Sequence, residues 1–288
     1  MKLGLSLAGG GIKGAAHIGA LKVFEEENIK FDYVSGTSSG SIVSTLYAIG
    51  YSADEMLELF KKYGKKIKYV DLRNILKFVY GLLTKRQILI NGFNSGIWIE
   101  KFINRVCLEK GIENINQINM PLIIPSVDLH TGALYVFHSN HNLVRGYSDK
   151  LIYINNINIG KAVRASCSYP GIFSPMKYNN TELIDGGLRE NVPWKLAKDE
   201  GADKVISIVF KNNLKKECCS NVFDVVSNSL GILCHELSNY ELQGADYLLK
   251  IRTKHVSLLD VKAIDMLYKE GYNQAKYQIK QIKGIINC

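Results

Sequence analysis

The chain has 288 residues, 47 % of them apolar, and a formal net charge of +9. That suffices for one large α/β domain with a buried core, and no stretch reaches the roughly eighteen uninterrupted apolar residues of a membrane span. Its six cysteines, Cys107, Cys167, Cys218, Cys219, Cys234 and Cys288, have neither metal-ligand spacing nor the density of a disulfide framework. Five prolines and the lack of a Ser/Gly-rich linker argue against a second independent domain. The residues after Met1 run straight into a strand, so no signal peptide is expected. The expectation is a cytoplasmic protein with reduced thiols and peripheral membrane association.

Lys2 to Ala8 predicts a first strand. Gly9-Gly10-Gly11-Ile12-Lys13-Gly14 then opens a helix carrying Ile18, Leu21 and Val23. A glycine-rich turn at a helix N-terminus exposes backbone N–H groups that bind an anion or a developing oxyanion. Gly9, Gly11 and Gly14 also spell G-x-G-x-x-G, and Asp32 lies eighteen residues beyond Gly14, close to a dinucleotide fingerprint. Asp32 stands at the start of the Phe31–Val34 strand, however, the wrong end to meet a ribose. The nucleotide reading also leaves later motifs unused. No Gly-Lys-Ser/Thr follows, so the phosphate-loop pattern fails.

Phe31 to Val34 predicts the second strand, and Ile42, Val43, Leu46 and Ile49 mark one face of the next helix. Between them lies Gly36-Thr37-Ser38-Ser39-Gly40. A serine at a tight strand-to-helix turn is pushed out of the backbone envelope, and the flanking glycines clear the room.

Residues 61–86 hold nine basic side chains against one acid, Asp71, a net +8 of the chain's +9. Leu72, Ile75, Leu76, Val79 and Leu83 form an apolar stripe there, broadened by Phe78, Tyr80 and Leu82. A basic amphipathic helix reads as a membrane-surface element drawn to anionic headgroups. The bland alternative is a helix packed on the core with solvated lysines. The expectation is that residues 61–95 cap Ser38 and dock on anionic bilayers through Lys61, Lys62, Lys65, Lys66, Arg73 and Lys77. Nucleic acid is the competing partner for a basic patch. The segment's broad hydrophobicity and the lack of a nucleic-acid module argue against it.

Further on, Val127 to Phe137 predicts a hairpin flanked by His130, His138 and His141. Asp185-Gly186-Gly187 places a carboxylate beyond the short apolar run Leu183-Ile184. The remainder, 211–288, reads as a helical extension of the 1–210 domain, with Val261, Ile264, Leu267 and Tyr268 at helical spacing. The alternation of strand-like and helix-like runs argues a mainly parallel sheet flanked by helices.

A nucleophile, an oxyanion cradle and a base candidate, each at a strand end, are what acyl transfer requires. The combination resembles the patatin-like phospholipases. Leu7 to Leu21 is similar to that family's G-G-G-x-R/K-G and H-I-G-x-L block, Gly36 to Gly40 to its nucleophile elbow, and Asp185 to Gly187 to its D-G-G/A motif. Ala165 to Pro175 resembles A-S-x-x-x-P-x-x-F-x-P, and Asn191-Val192-Pro193 with Gly201-Ala202-Asp203 also fits. The likeness covers roughly residues 1–210. Lys13 stands where arginine is commoner, which keeps the charge but not the planar fork.

The resemblance implies a three-layer α/β/α sandwich with a mainly parallel sheet and a Ser38–Asp185 dyad. It also implies an oxyanion hole from the amides of Gly10, Gly11 and Ile12, supported by Gly9, Lys13, Gly14, Gly36, Gly40, Gly186 and Gly187. The implied substrate is a phospholipid or lysophospholipid, with no metal or cofactor. The alternatives are a neutral glyceride or ester hydrolase and an idle lipid-binding module. Among the histidines, His17 falls inside the first helix, and His235 and His255 lie in the unmatched tail. His141 stays open as a third member. With a pKa near the ordinary value of about 4, Asp185 is a feeble base, so a partly desolvated site is expected.

Overall fold

The computed structural model describes residues 1–64, 72–84, 91–140, 150–211, 222–254, 256 and 260–287. Lys65, Lys66, His141, His255, Cys218, Cys219 and Cys288 lie outside the described residues, as do the side chains of Arg73 and Lys77. In chain order the elements begin β1 (Leu3–Leu7), α1 (Gly14–Glu26), β2 (Tyr33–Gly36), α2 (Ser39–Ala48), α3 (Ala53–Gly64), α4 (Leu72–Leu83), β3 (Gly92–Asn94) and α5 (Ile97–Leu108). Next come β4 (Leu122–Asp128), β5 (Leu134–His138), β6 (Leu151–Ile154), α6 (Ile159–Ser166), β7 (Gly171–Phe173), β8 (Met176–Tyr178) and β9 (Thr181–Asp185). The chain ends with α7 (Trp194–Asp199), β10 (Lys204–Lys211), α8 (Val222–Glu241), β11 (Tyr247–Arg252) and α9 (Ile264–Asn287).

The central sheet runs β11-β10-β1-β2-β4-β5-β6, with β9 and β8 attached beside β4. Pairing is parallel from β11 through β4 and between β5 and β6, and antiparallel for β4–β5, β4–β9 and β8–β9. The sheet is thus mostly parallel, with helices on both faces. Its period-2 alternation shows in β10: Ile206 and Ile208 join the core under α1, α2, α5, α6 and α9, while Val205 and Val209 face Trp194, Leu196 and Ala197 of α7.

The expected hairpin is present as β4–β5, but β4 starts earlier, at Leu122, and runs through Pro125. Proline is poor strand material because it has no N–H to donate. Here the local pairing removes the penalty. Leu122 and Asp128 use their backbone groups toward the β5 side, bonding Ser139 and Ala133, so alternation turns Pro125 to the opposite edge. On that edge β2 pairs only with Leu122 and Ile123, and β9 only with Ser126 to Asp128. Pro125 therefore faces the gap between two strand ends. β2 runs up to that gap and β9, antiparallel to β4, runs down to it, which brings the ends of two distant sequence segments together.

The tail departs from a purely helical extension, because β11 adds a parallel strand beside β10. The expected helix follows as α9, and it lies against α1 backbone to backbone. A Cβ on Gly19 would stand 2.0 Å from the Tyr268 carbonyl oxygen, and one on Gly271 2.0 Å from that of Ala16. Leu267, Ala275 and Ile282 are buried along the contact.

The expected stripe on α4 is present but points outward: Ile75, Leu76, Val79, Tyr80 and Leu83 are all exposed, Leu83 by 78 %. What attaches α4 is its other side, where Asn74 Nδ2 donates to the Gly92 carbonyl at 3.1 Å and Phe78 packs on Phe93. Lys61 is bound to Asp265 of α9 at 2.9 Å, and the Lys62 ammonium lies over the Tyr63 ring. Among the described residues, no helix is long and apolar enough to cross a membrane.

Candidate active site

Ser38 sits between β2 and α2 with φ 52° and ψ −122°, a left-handed backbone that a side chain adopts only under constraint. The flanking glycines explain how. A Cβ on Gly36 would fall 2.4 Å from the Gly40 carbonyl oxygen, and one on Gly40 2.2 Å from that of Leu7. The elbow folds onto itself and onto β1, and only hydrogen fits at either position.

Asp185 ends β9 and is 3 % exposed. Its Oδ1 accepts the Gly187 N–H at 2.8 Å, which places that carboxylate oxygen. Oδ2 is buried without a hydrogen-bond partner in standard geometry, and the Ser38 hydroxyl is the side chain whose interaction steadies the charged form. Burial outweighs that interaction and pushes the carboxyl up to about 6. The carboxylate is therefore a better base than an ordinary aspartate. Its lone pairs on Oδ2 are not committed elsewhere.

The glycine-rich loop follows β1. Gly11 to Lys13 forms a short helical turn leading into α1, with Gly11 at φ 59°. The amides of Gly10, Gly11 and Ile12 belong to a first turn, where N–H groups lack intrahelical acceptors. His17, on α1, is buried and pushed down to about 4 by desolvation, so it is neutral. Its Nε2–H donates to the Ala8 carbonyl at 2.8 Å and its ring packs on Phe210. It supports the loop through Ala8 and Phe210. Burial lowers the Lys13 ammonium, which lies over the ring of Phe210 in β10.

Three residues that motif reading left without a role tie these parts together. Ser166, at the end of α6, accepts the Ser38 N–H on its Oγ at 3.0 Å, and the Ser168 carbonyl accepts the Asp185 N–H at 3.0 Å. The Ala165–Pro175 block thus clamps Ser38 and Asp185 from one helix end. Asn191 accepts the Gly9 N–H on both its Oδ1, at 3.1 Å, and its carbonyl, at 3.3 Å. Glu241 in turn accepts the Asn191 N–H at 3.1 Å, fixing that loop to α8. Glu241 lies in the unmatched tail and had no local signal. Ser39, following the nucleophile, opens α2 and offers a further first-turn amide.

A cavity of about 680 Å³ joins the Gly9–Lys13 loop, Ser38 and Asp185 to an apolar wall that includes Phe60, Tyr63, Trp98, Phe102, Ile172 and Phe173. His235, on α8, also lines it, with Nδ1 turned to Glu236 and to Asn239. His130 is exposed beside Glu182, and His138 is buried against Tyr153. Such a site can hold a long apolar group with one polar, reacting end at Ser38.

Two opposing pH trends follow. Besides Asp185, burial raises Glu190 to about 7 and Glu241 to about 8. A carboxyl with a raised folded-state pKa contributes stability fully below its unfolded pKa, near 4 to 4.5, and loses it as pH climbs through the folded value. Thermal midpoints should therefore fall between about pH 5 and pH 8. With Asp185 as the base, only its ionised form would act, so kcat/KM on a soluble ester should rise with pH through about 6. A pH series of melting curves beside a pH–rate profile reads both trends.

The sequence pattern of the patatin-like phospholipase family matches residues 5–198. Across 96 % of this chain and 93 % of the relative, the sequence is 32 % identical to an uncharacterized protein, R571, of Acanthamoeba polyphaga mimivirus. It is 30 % identical to lysophospholipase NTE1 of Meyerozyma guilliermondii, over 72 % of this chain and 12 % of that protein. The match to mouse patatin-like phospholipase domain-containing protein 6 is also 30 %, over 72 % and 13 %. The chain thus spans about an eighth of those two longer relatives. Among solved structures, VipD from Legionella pneumophila shares the fold, with TM-score 0.50 and 13 % identity over 97 % of this chain and 67 % of VipD. With a strained serine elbow, a buried carboxylate and a glycine-rich loop around one apolar cavity, and with the family pattern spanning all three, the chain belongs to the patatin-like phospholipase family.

Proposed function

We propose that the chain cleaves fatty-acyl esters of phospholipids or lysophospholipids through a Ser38–Asp185 dyad, at an anionic membrane surface. The observation that carries the dyad is Asp185 Oδ2, buried, unbonded and adjoining Ser38 at the end of an apolar cavity. Ser38 Oγ attacks the acyl carbonyl as Asp185 takes its proton. The amides of Gly10, Gly11 and Ile12, joined by that of Ser39, hold the tetrahedral oxyanion, and Lys13 adds positive field. The C–O bond to the glycerol side then breaks, and the leaving alkoxide takes the proton back from Asp185. Water, deprotonated by Asp185, attacks the acyl-enzyme; the bond to Ser38 Oγ breaks, Ser38 takes the proton back from Asp185, and the acyl chain leaves as a fatty acid.

Each step uses groups of the chain itself, so a chelator should leave the rate unchanged. The test is fatty-acid release from phosphatidylcholine/phosphatidylglycerol vesicles, with and without chelator, beside Ser38→Ala. Chelator-insensitive release is expected, lost in the variant by a factor on the order of 10⁶. Release from triglyceride emulsions alone would replace the phospholipid reading with a neutral-lipid one. Release retained in Ser38→Ala would overturn the nucleophile.

A further inference from the structure

We propose that α8 is the helix that enters the phospholipid leaflet, walling the cavity with one face while its opposite face lies among acyl chains. The inference rests on the reading of the cavity as a lipid site. Gly231, Cys234, His235, Ser238, Asn239 and Leu242 line the cavity, at the spacing of one helix face. On the other side Val225, Val226, Ile232 and Leu233 are 50 %, 52 %, 49 % and 66 % exposed. At about 100° per residue these four fall within an arc of about 120°, centred nearly opposite the cavity face. The first three turns of α8, Val222 to Leu233, contain one ionisable residue, Asp224. Glu236 then interrupts the stripe, and Tyr240 follows it at 75 % exposure. A carboxylate followed by an aromatic is the order expected where a helix rises from acyl chains into the headgroup layer.

A phospholipid leaflet fits this face better than a protein partner for two reasons. First, the stripe belongs to the same helix that walls the cavity, so a leaflet docked on it lies one helix away from the cavity. Second, α4 carries an outward apolar face of its own, and it packs on Phe93 of β3, the partner strand of β7, whose Ile172 and Phe173 line the same cavity. The segment containing α4 holds most of the chain's +9 charge, which complements anionic headgroups. Two outward apolar helices beside one lipid-sized cavity, with positive charge alongside, match an interface of hydrocarbon bounded by phosphate.

The test uses the full chain and a Val226→Asp/Leu233→Asp double variant, both sites being half or more exposed so that the new carboxylates are solvated. Three readouts are compared: cosedimentation with phosphatidylcholine/phosphatidylglycerol vesicles, fatty-acid release from them, and hydrolysis of a soluble short-chain p-nitrophenyl ester. Vesicle binding and vesicle hydrolysis should each fall about tenfold or more, with soluble-ester hydrolysis kept. Unchanged vesicle binding would overturn the proposal. So would a wild-type dimer that the variant splits while vesicle binding persists, since a second copy would then cover the stripe. Wild-type chain that binds vesicles through the stripe but releases no fatty acid would leave docking intact and remove the phospholipase reading instead. In Leu233→Trp, brominated lipids should quench the new fluorescence; no quenching overturns the insertion.

Discussion

Asp185→Asn should lower kcat on a soluble ester by about 10²- to 10⁴-fold, the share a positioned general base carries, with KM little changed. Asparagine keeps the volume, and its side-chain oxygen can still accept the Gly187 N–H that now binds Oδ1. What it loses is the acceptor. The atom in place of Oδ2 becomes an NH₂ group that donates toward Ser38, so the hydroxyl has nowhere to send its proton. The rise of activity through about pH 6 should vanish with it. Stability should move the other way. Above pH 6 the wild type holds a buried charge, and the neutral amide removes that cost, so the variant's melting temperature at neutral pH should not fall. An inactive variant that is also unfolded would say nothing of a base, and the melt separates the cases. Retained turnover would transfer the base to a histidine, either His235 on the cavity wall or His141.

Gly40→Ala is the second large effect, this time on the backbone. The added methyl would stand 2.2 Å from the Leu7 carbonyl oxygen and 2.9 Å from that of Ala8, both main-chain atoms at the end of β1. No rotamer relieves such a contact. Either α2 moves away from the sheet or β1 moves, and the oxyanion loop begins two residues after Leu7. Destabilisation of about 3 kcal/mol, the upper range for overpacking, is expected together with loss of turnover. Denaturant unfolding beside an ester assay measures both. Gly284→Ala supplies the contrast: it lies in α9 with open space at its Cβ, and it should gain about 0.5 to 1 kcal/mol from helix propensity. Equal effects from the two substitutions would remove the packing argument.

How much of this was legible in the residues varies with the range of the interaction. The elbow was readable because G-x-S-x-G is a local solution to a local steric problem; Gly36 and Gly40 contact each other within five residues. The glycine-rich loop before α1 was readable for the same reason, a glycine run between a strand and a helix. The hairpin and α9 were visible through their periods of 2 and 3.6. The start of β4 is not legible in the sequence, because a proline such as Pro125 argues against a strand wherever the pairing on its edge is unknown. β11 was missed because Tyr247 to Arg252 is short and half polar, and its strand character comes from β10 beside it. The stripe on α4 announced an amphipathic helix, but periodicity cannot say whether its apolar side faces the core or the solvent.

Sequence alone therefore determined the local parts: a serine at a glycine-flanked turn, a glycine run opening a helix, and a carboxylate beyond a short apolar run, each written in a few neighbouring residues. Tertiary structure decided what those groups became. It set β2 and β9 end to end on one edge of β4, so that Ser38 and Asp185 meet across 147 positions of sequence. It buried the carboxylate, which pushes the Asp185 pKa above that of an ordinary aspartate. It also brought Ser166, Asn191 and Glu241 to the site from three separate segments. Burial and strand order are sums over the whole chain, and no short window of residues contains them.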